Sequence, residues 1–156
     1  MMNLCCDLLK VLNGRTFSTA ESCTGGGIGA AFTAVPGSSA VYKGGIISYT
    51  NWVKETILGV DPGVLHVNGA VSEETAREMA ACVRRLMKTD MAVSVTGIAG
   101  PDSDEFGTPV GTVYIGFADT KHCYAKRFFF DGDRQTVRRQ AEEQAIRILI
   151  AECTGI

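Results

Sequence analysis

Thr19-Ala20-Glu21-Ser22-Cys23-Thr24-Gly25-Gly26-Gly27, preceded by Arg15-Thr16-Phe17-Ser18 and followed by the apolar run Ile28–Phe32, is the stretch that decides the fold. Arg15–Thr19 reads as a short strand, and Ile28 onward continues a helix behind the glycines to about Thr33. A strand that ends here holds Ser22 at the sheet's edge. The first N–H groups of the following helix are then expected to point outward, ready for a phosphate or a developing oxyanion.

Outward from this turn, the chain alternates helices and strands. Leu4, Leu8, Leu9, Val11 and Leu12 line one face of a helix over Met2–Leu12, stopped by Asn13-Gly14. Gly44–Tyr49 is the second expected strand, after a turn at Val35–Ser39, and Asn51 is placed to cap a short helix from Trp52 to Leu58. Asp61-Pro62 reads as a cap and first helical position. Ser72 caps the next helix, whose first-turn acids Glu73 and Glu74 and later Arg84, Arg85 and Lys88 suit the helix dipole. Met91–Thr96 is a strand leading into a second glycine-containing loop, Gly97–Pro101. Val110–Ala118 and Cys123–Phe130 form a hairpin, and a long helix runs from Asp133 to Ala151. The pattern predicts a three-layer α/β/α sandwich, with a mixed sheet that includes a C-terminal β-hairpin.

The chain's 156 residues suit one domain with a sizeable core, residues 1–156 throughout. A net charge of −2 gives no electrostatic case for nucleic acid or a membrane surface. No apolar run is long enough to span a bilayer, and Met1–Asp7 has neither a basic region nor a signal-peptide core, so a cytoplasmic location is expected. The 6 cysteines include no CxxC, and the 2 histidines, His66 and His122, lie far in sequence from any paired cysteine. Reduced, mostly buried thiols and no metal site are therefore expected. Cys23 is the exception, because a helix N-terminus beside it is expected to lower its pKa. Asp102, Asp104 and Glu105 share one loop without a partner cluster and suggest no metal.

Ser22 is the favoured nucleophile, and serine is inert without a base. Neither histidine is well placed to serve, which disfavours a Ser-His-Asp triad. Lys54 follows the second strand, whose parallel placement brings it toward the Ser22 edge. Spacing alone also allows a solvated helix lysine there, and Tyr49 reads equally as an ordinary strand aromatic. Arg134 and Arg138 share a helix face and form either a phosphate clamp or a solvated charged surface.

Several motifs together resemble one family. TAESCTGG (Thr19–Gly26), PGSS (Pro36–Ser39), GAVSEE (Gly69–Glu74), TGIAGP (Thr96–Pro101), PVGTVYIG (Pro109–Gly116) and GDRQTVRRQA (Gly132–Ala141) are similar, in order and spacing, to the C-terminal domain of the competence/damage-inducible CinA family. In free-standing form that family is nicotinamide-nucleotide amidase. The motifs correspond to that domain only, so the activity of the family's N-terminal molybdopterin-binding-like domain is not carried over. The resemblance implies hydrolysis of the carboxamide of nicotinamide mononucleotide to nicotinate mononucleotide and ammonia, with no cofactor and as a homodimer. It also implies catalysis by Ser22, Lys54 and Tyr49, the latter two through the pattern GxxxYxNxxK at Gly45–Lys54. Thr24, Gly25, Gly26, Thr96, Gly97 and Arg138 are the implied substrate contacts; the family often has serine where Thr96 stands. Neutral Lys54, directly or through Tyr49, is expected to take the Ser22 proton. Two other classes remain open: a catalytically silent nucleotide-binding or regulatory module, and a thiol enzyme using Cys23.

Overall fold

The computed structural model describes residues 1–155. Its elements are α1 (Met2–Leu12), β1 (Phe17–Glu21), α2 (Gly27–Thr33), β2 (Tyr42–Ile47), a π-helical turn (Val53–Leu58), α3 (Pro62–Asn68), α4 (Glu73–Met87), β3 (Met91–Gly97), β4 (Thr112–Ala118), β5 (Cys123–Phe129) and α5 (Arg134–Thr154). The five strands form one sheet in the order β2-β1-β3-β4-β5. β1 is parallel to both β2 and β3, whereas β4 pairs antiparallel with both β3 and β5. The mixed sheet with its C-terminal hairpin is as the sequence pattern predicts.

Side-chain alternation divides the core into two layers. Phe17, Met91, Val93, Val95, Val113, Ile115 and Phe117 meet the apolar faces of α1, α2 and α5. On the opposite face, Ala20 and Ala92 meet Met79, Cys82 and Val83 of α4, with Leu58 and Leu65. Small residues let α4 lie close to the sheet there. Ser94 Oγ donates to Ala76 O at 2.5 Å, and a Cβ on Gly116 would run into the same carbonyl.

The strand edges differ from the sequence reading in ways that matter for the site. β1 occupies Phe17–Glu21 rather than Arg15–Thr19, because Thr16 is held by the Asp90 carboxylate (N to Oδ2, 2.7 Å) and the ladder begins one residue later. β2 ends at Ile47, opposite Glu21, the last residue of β1. Tyr49 therefore has no strand to pair with and lies beyond the sheet. Asn51 is inside the next helical turn rather than capping it; Thr50 Oγ1 accepts from Val53 N at 3.3 Å instead. Ser72 and Asp133 cap α4 and α5, accepting from Thr75 N and Thr136 N.

The link from β1 to β2 passes through α2 on one face, and the link from β2 to β3 through α3 and α4 on the other. The carboxyl ends of β1 and β3 thus flank a point where the connections part, the usual place for a crevice in an open α/β sheet. Ser22 sits at that point.

Candidate active site

Backbone bonds fix Ser22 before its side chain is considered. Its N–H donates to Val95 O (2.9 Å), and Ser48 N–H donates to Glu21 O (2.8 Å), so the residue after β1 is locked between β2 and β3. The chain then reverses through Gly25 N to Ser22 O (3.0 Å) and Gly27 N to Thr24 O (3.1 Å). Gly25 and Gly26 take φ of 62° and 96°, a left-handed backbone that side-chain-bearing residues resist.

The helix start behind this turn is not open to a ligand. The buried Glu21 carboxylate accepts from Gly26 N and Ile28 N through Oε2 (3.0 and 3.1 Å) and from Gly29 N through Oε1 (3.0 Å). The anion expected at the first helical amides is the protein's own, which corrects the reading of a free phosphate or oxyanion site there. The amides of Cys23 and Thr24 stay outside the turn's backbone bonds.

Lys54 approaches Ser22 from the face of the sheet that carries α4. It is the second residue of the π-helical turn, in which Gly59 N (3.0 Å) and Val60 N (2.9 Å) both donate to Lys54 O. Such wide turns recur at functional sites. The side chain is 1% exposed, which overturns the solvated-helix reading. Its Nζ lies 3.1 Å from Ser22 Oγ and donates to Ser48 O at 2.7 Å. Burial penalises the ammonium and pushes the Lys54 pKa down from 10.5 to about 8, with the charge of Cys23 acting weakly the other way. A lysine in this state is about one-tenth neutral at pH 7 and half neutral near pH 8, and its amine is already in contact with the hydroxyl it would deprotonate.

Tyr49 takes no part in that contact. It is 56% exposed, and its hydroxyl accepts from Arg134 Nη2 at 3.2 Å. Arg134 Nη1 also donates to Gly100 O (2.6 Å), so this arginine ties the loop after β3 to the tyrosine at the rim. One helical turn further on, Arg138 Nη2 donates to Thr24 O (3.0 Å) and lies against Gly25, while its buried Nε has no partner. The Thr24 hydroxyl is likewise buried and unpartnered. Thr96 and Gly97 are placed differently. Thr96 Oγ1 donates to Ala70 O at 2.7 Å, and a Cβ on Gly97 would run into Val113 and Thr112 O, so strand packing accounts for that glycine.

The thiol reading is not supported by the environment of Cys23. Its side chain belongs to the α1/α5 core layer, and burial pushes its pKa up to about 11, opposite to the lowering expected from a helix start. His122 pairs with Asp119 beside the hairpin turn, at the end of the sheet away from Gly97, and His66 lies on α3. Asp104 organises its own loop by accepting from Phe106 N, Thr108 N and Thr108 Oγ1. Among the described residues, no group of three or more His, Cys, Asp or Glu side chains could hold a metal ion, and no helix is long and apolar enough to cross a membrane. A surface hollow of about 640 Å³ beside α4 includes neither Ser22 nor Lys54.

Glu21 and Ser48 are the two site residues that sequence reasoning missed. A carboxylate at the end of an otherwise uncharged strand, just before a glycine-rich turn, is the signal that would have found Glu21. Ser48 acts through its carbonyl, for which side-chain identity carries no signal.

The CinA C-terminal domain model matches residues 2–153. A CinA-like protein from Geobacter is 50% identical over 131 residues, covering 84% of this chain and 32% of that protein. The chain spans about a third of the length of the curated relatives it matches. Among solved structures, a competence-damaged protein (CinA) superfamily protein from Klebsiella pneumoniae superposes with a TM-score of 0.96 at 32% identity, covering 99% of this chain and 98% of the other. A competence/damage inducible protein from Agrobacterium tumefaciens gives 0.91 at 36% identity, covering 96% and 93%.

Proposed function

The chain belongs to the CinA C-terminal domain family, and from that premise we propose that it is a nicotinamide mononucleotide deamidase working through a Ser22–Lys54 pair. The observation that carries the reading is the buried lysine amine 3.1 Å from the Ser22 hydroxyl, with its pKa pushed down to about 8. Serine needs a base, and a desolvated lysine is one of the few side chains able to act as one without histidine.

In the proposed reaction Ser22 Oγ attacks the carboxamide carbon as its proton passes to neutral Lys54 Nζ. The carbonyl π electrons move onto oxygen, where the amides of Cys23 and Thr24 are the available donors; such a donor is worth about 3 kcal/mol or more in transition-state stabilisation. The resulting ammonium donates its proton to the leaving nitrogen, the C–N bond breaks, and ammonia departs. Water then attacks the acyl-enzyme with Lys54 again as base, releasing nicotinate mononucleotide and restoring Ser22. Ser48 O holds one lysine N–H throughout, which leaves the lone pair of the neutral amine free to face Ser22. Tyr49, Arg134 and Arg138 stand at the rim, where the substrate's ribose phosphate would be gripped. The proposal includes a cytoplasmic homodimer.

A coupled ammonia assay on the purified protein tests the reading. Nicotinamide mononucleotide should be turned over far better than free nicotinamide, and Ser22→Ala should lower kcat by several orders of magnitude while binding survives. No ammonia from the wild-type protein, despite measurable nucleotide binding, would favour a silent binding module instead.

A further inference from the structure

We infer that Glu21 is a positioning residue for the nucleophile: its buried carboxylate clamps the start of α2 and so sets the geometry of the Ser22–Gly26 turn. The inference rests on the proposed serine chemistry for its catalytic consequence, and on hydrogen bonds alone for its structural one.

Glu21 and Ser22 are consecutive at the end of an extended strand, so their side chains leave on opposite faces. Ser22 faces Lys54 on the α4 side. Glu21 faces the other layer with Phe17 and Thr19, whose partners are Phe32 and the Tyr42 hydroxyl. The chain must cross the sheet end from the first face to α2 on the second within Ser22–Gly26. At its near end this crossing is tied by Ser22 N to Val95 O. At its far end it is tied by the three amides that bond to Glu21, at 3.0–3.1 Å. Between those anchors only the Cys23 and Thr24 amides are left outside the turn's bonds, which makes them the donors available to an oxyanion.

A carboxylate is required by count. Two acceptor oxygens serve three N–H donors, whereas glutamine offers one oxygen and turns an NH2 group toward the remaining amide. The space is equally restricted. Glu142 of α5 packs against Gly27, where a Cβ would overlap its carboxyl, and the Tyr42 hydroxyl leaves no room for a side chain at Gly29. The helix start cannot relax far, so loss of the clamp is felt in the turn. Glu21 does not face Lys54, and removing it should leave the base's ionisation alone.

The test uses Glu21→Gln in the full chain with three readouts: steady-state ammonia release, labelling of Ser22 by a fluorophosphonate, and amide hydrogen exchange at Gly26, Ile28 and Gly29. In the labelling step Ser22 Oγ forms a P–O bond, fluoride leaves, and the hydroxyl proton goes to Lys54. The expected result is faster exchange at Gly29. It should be accompanied by a fall of about 10²-fold in both kcat and the labelling rate, the usual consequence of slight misplacement. KM should stay within about threefold and the acid limb of the pH profile unmoved. Labelling should still reach the wild-type extent at the lower rate, whereas a merely destabilised fold would lower the labelled extent. Labelling and kcat within threefold of wild type despite faster exchange at Gly29 would overturn the inference. If Glu21→Gln does not fold, Glu21→Asp withdraws the same charge by one methylene; wild-type labelling in that variant would overturn the inference equally. Wild-type Ser22 that resists the probe would overturn the serine reading and this inference together, whereas a labelled Ser22 without nucleotide turnover would overturn only the substrate assignment.

Discussion

Lys54→Met separates the lysine's catalytic role from its cost to the fold. With its folded pKa near 8 against 10.5 when solvated, Lys54 is mostly protonated at pH 7. The folded protein then carries a desolvated ammonium that opposes folding by about 3 kcal/mol relative to a neutral side chain. Methionine removes that charge in a similar volume. It also leaves Ser48 O without its 2.7 Å partner, a loss of about 1–3 kcal/mol. At pH 7 the variant should therefore be about as stable as wild type or slightly more so, while kcat falls by about 10²–10⁴-fold. The pH dependence is the sharper signature. Between pH 8 and 10.5 the unfolded lysine binds more protons than the folded one, so this residue's contribution to stability rises with pH through that window and is flat below it. The difference in unfolding free energy, wild type minus Lys54→Met, should increase by about 2 kcal/mol from pH 7 to 9.5. Subtraction removes most of the opposing effect of Cys23, whose raised pKa contributes stability that is lost at high pH, because burial, its largest cause, is common to both proteins. Urea unfolding followed by far-ultraviolet circular dichroism at several pH values measures this. Parallel stability curves for the two proteins would refute the desolvated lysine on which the mechanism rests.

Cys23→Ala should keep kcat within a few-fold, since its thiol faces the core; a loss as deep as that of Ser22→Ala would revive the thiol enzyme. Arg138→Ala should lower kcat as well as raise KM, because Arg138 Nη2 holds Thr24 O in the nucleophile turn; a pure KM effect would assign it to substrate alone. Exhaustive chelation should leave ammonia release intact, and loss restored by one divalent ion would reveal a site assembled from distant groups.

The scaffold was largely legible because its signals are local. Periodicity marks α1, α4 and α5, alternation marks β3 and the hairpin, and caps at Asp61 and Ser72 mark helix starts. What escaped depends on tertiary placement. The segment around Lys54 reads as an ordinary amphipathic turn, and only the ends of β1 and β2 closing over it bury the amine. Glycine-rich turns advertise an anion at the helix start without saying whose, and Glu21 supplies it from within. Thr96 carries a hydroxyl whose partner, Ala70 O, spacing alone cannot name. Tyr49 looked like strand because β2 was extended past the point where β1, its only partner, stops.

The pH profile of ammonia release from nicotinamide mononucleotide tests the central claim, that Lys54 acts as the neutral base of Ser22. The account predicts that kcat/KM rises with pH along a single acid limb centred near 8, the value to which burial brings Lys54, and that Ser22→Ala lies at background throughout. A rate that stays level from pH 6 to 9, or a limb near 8 that persists in an active Lys54→Met enzyme, would contradict it.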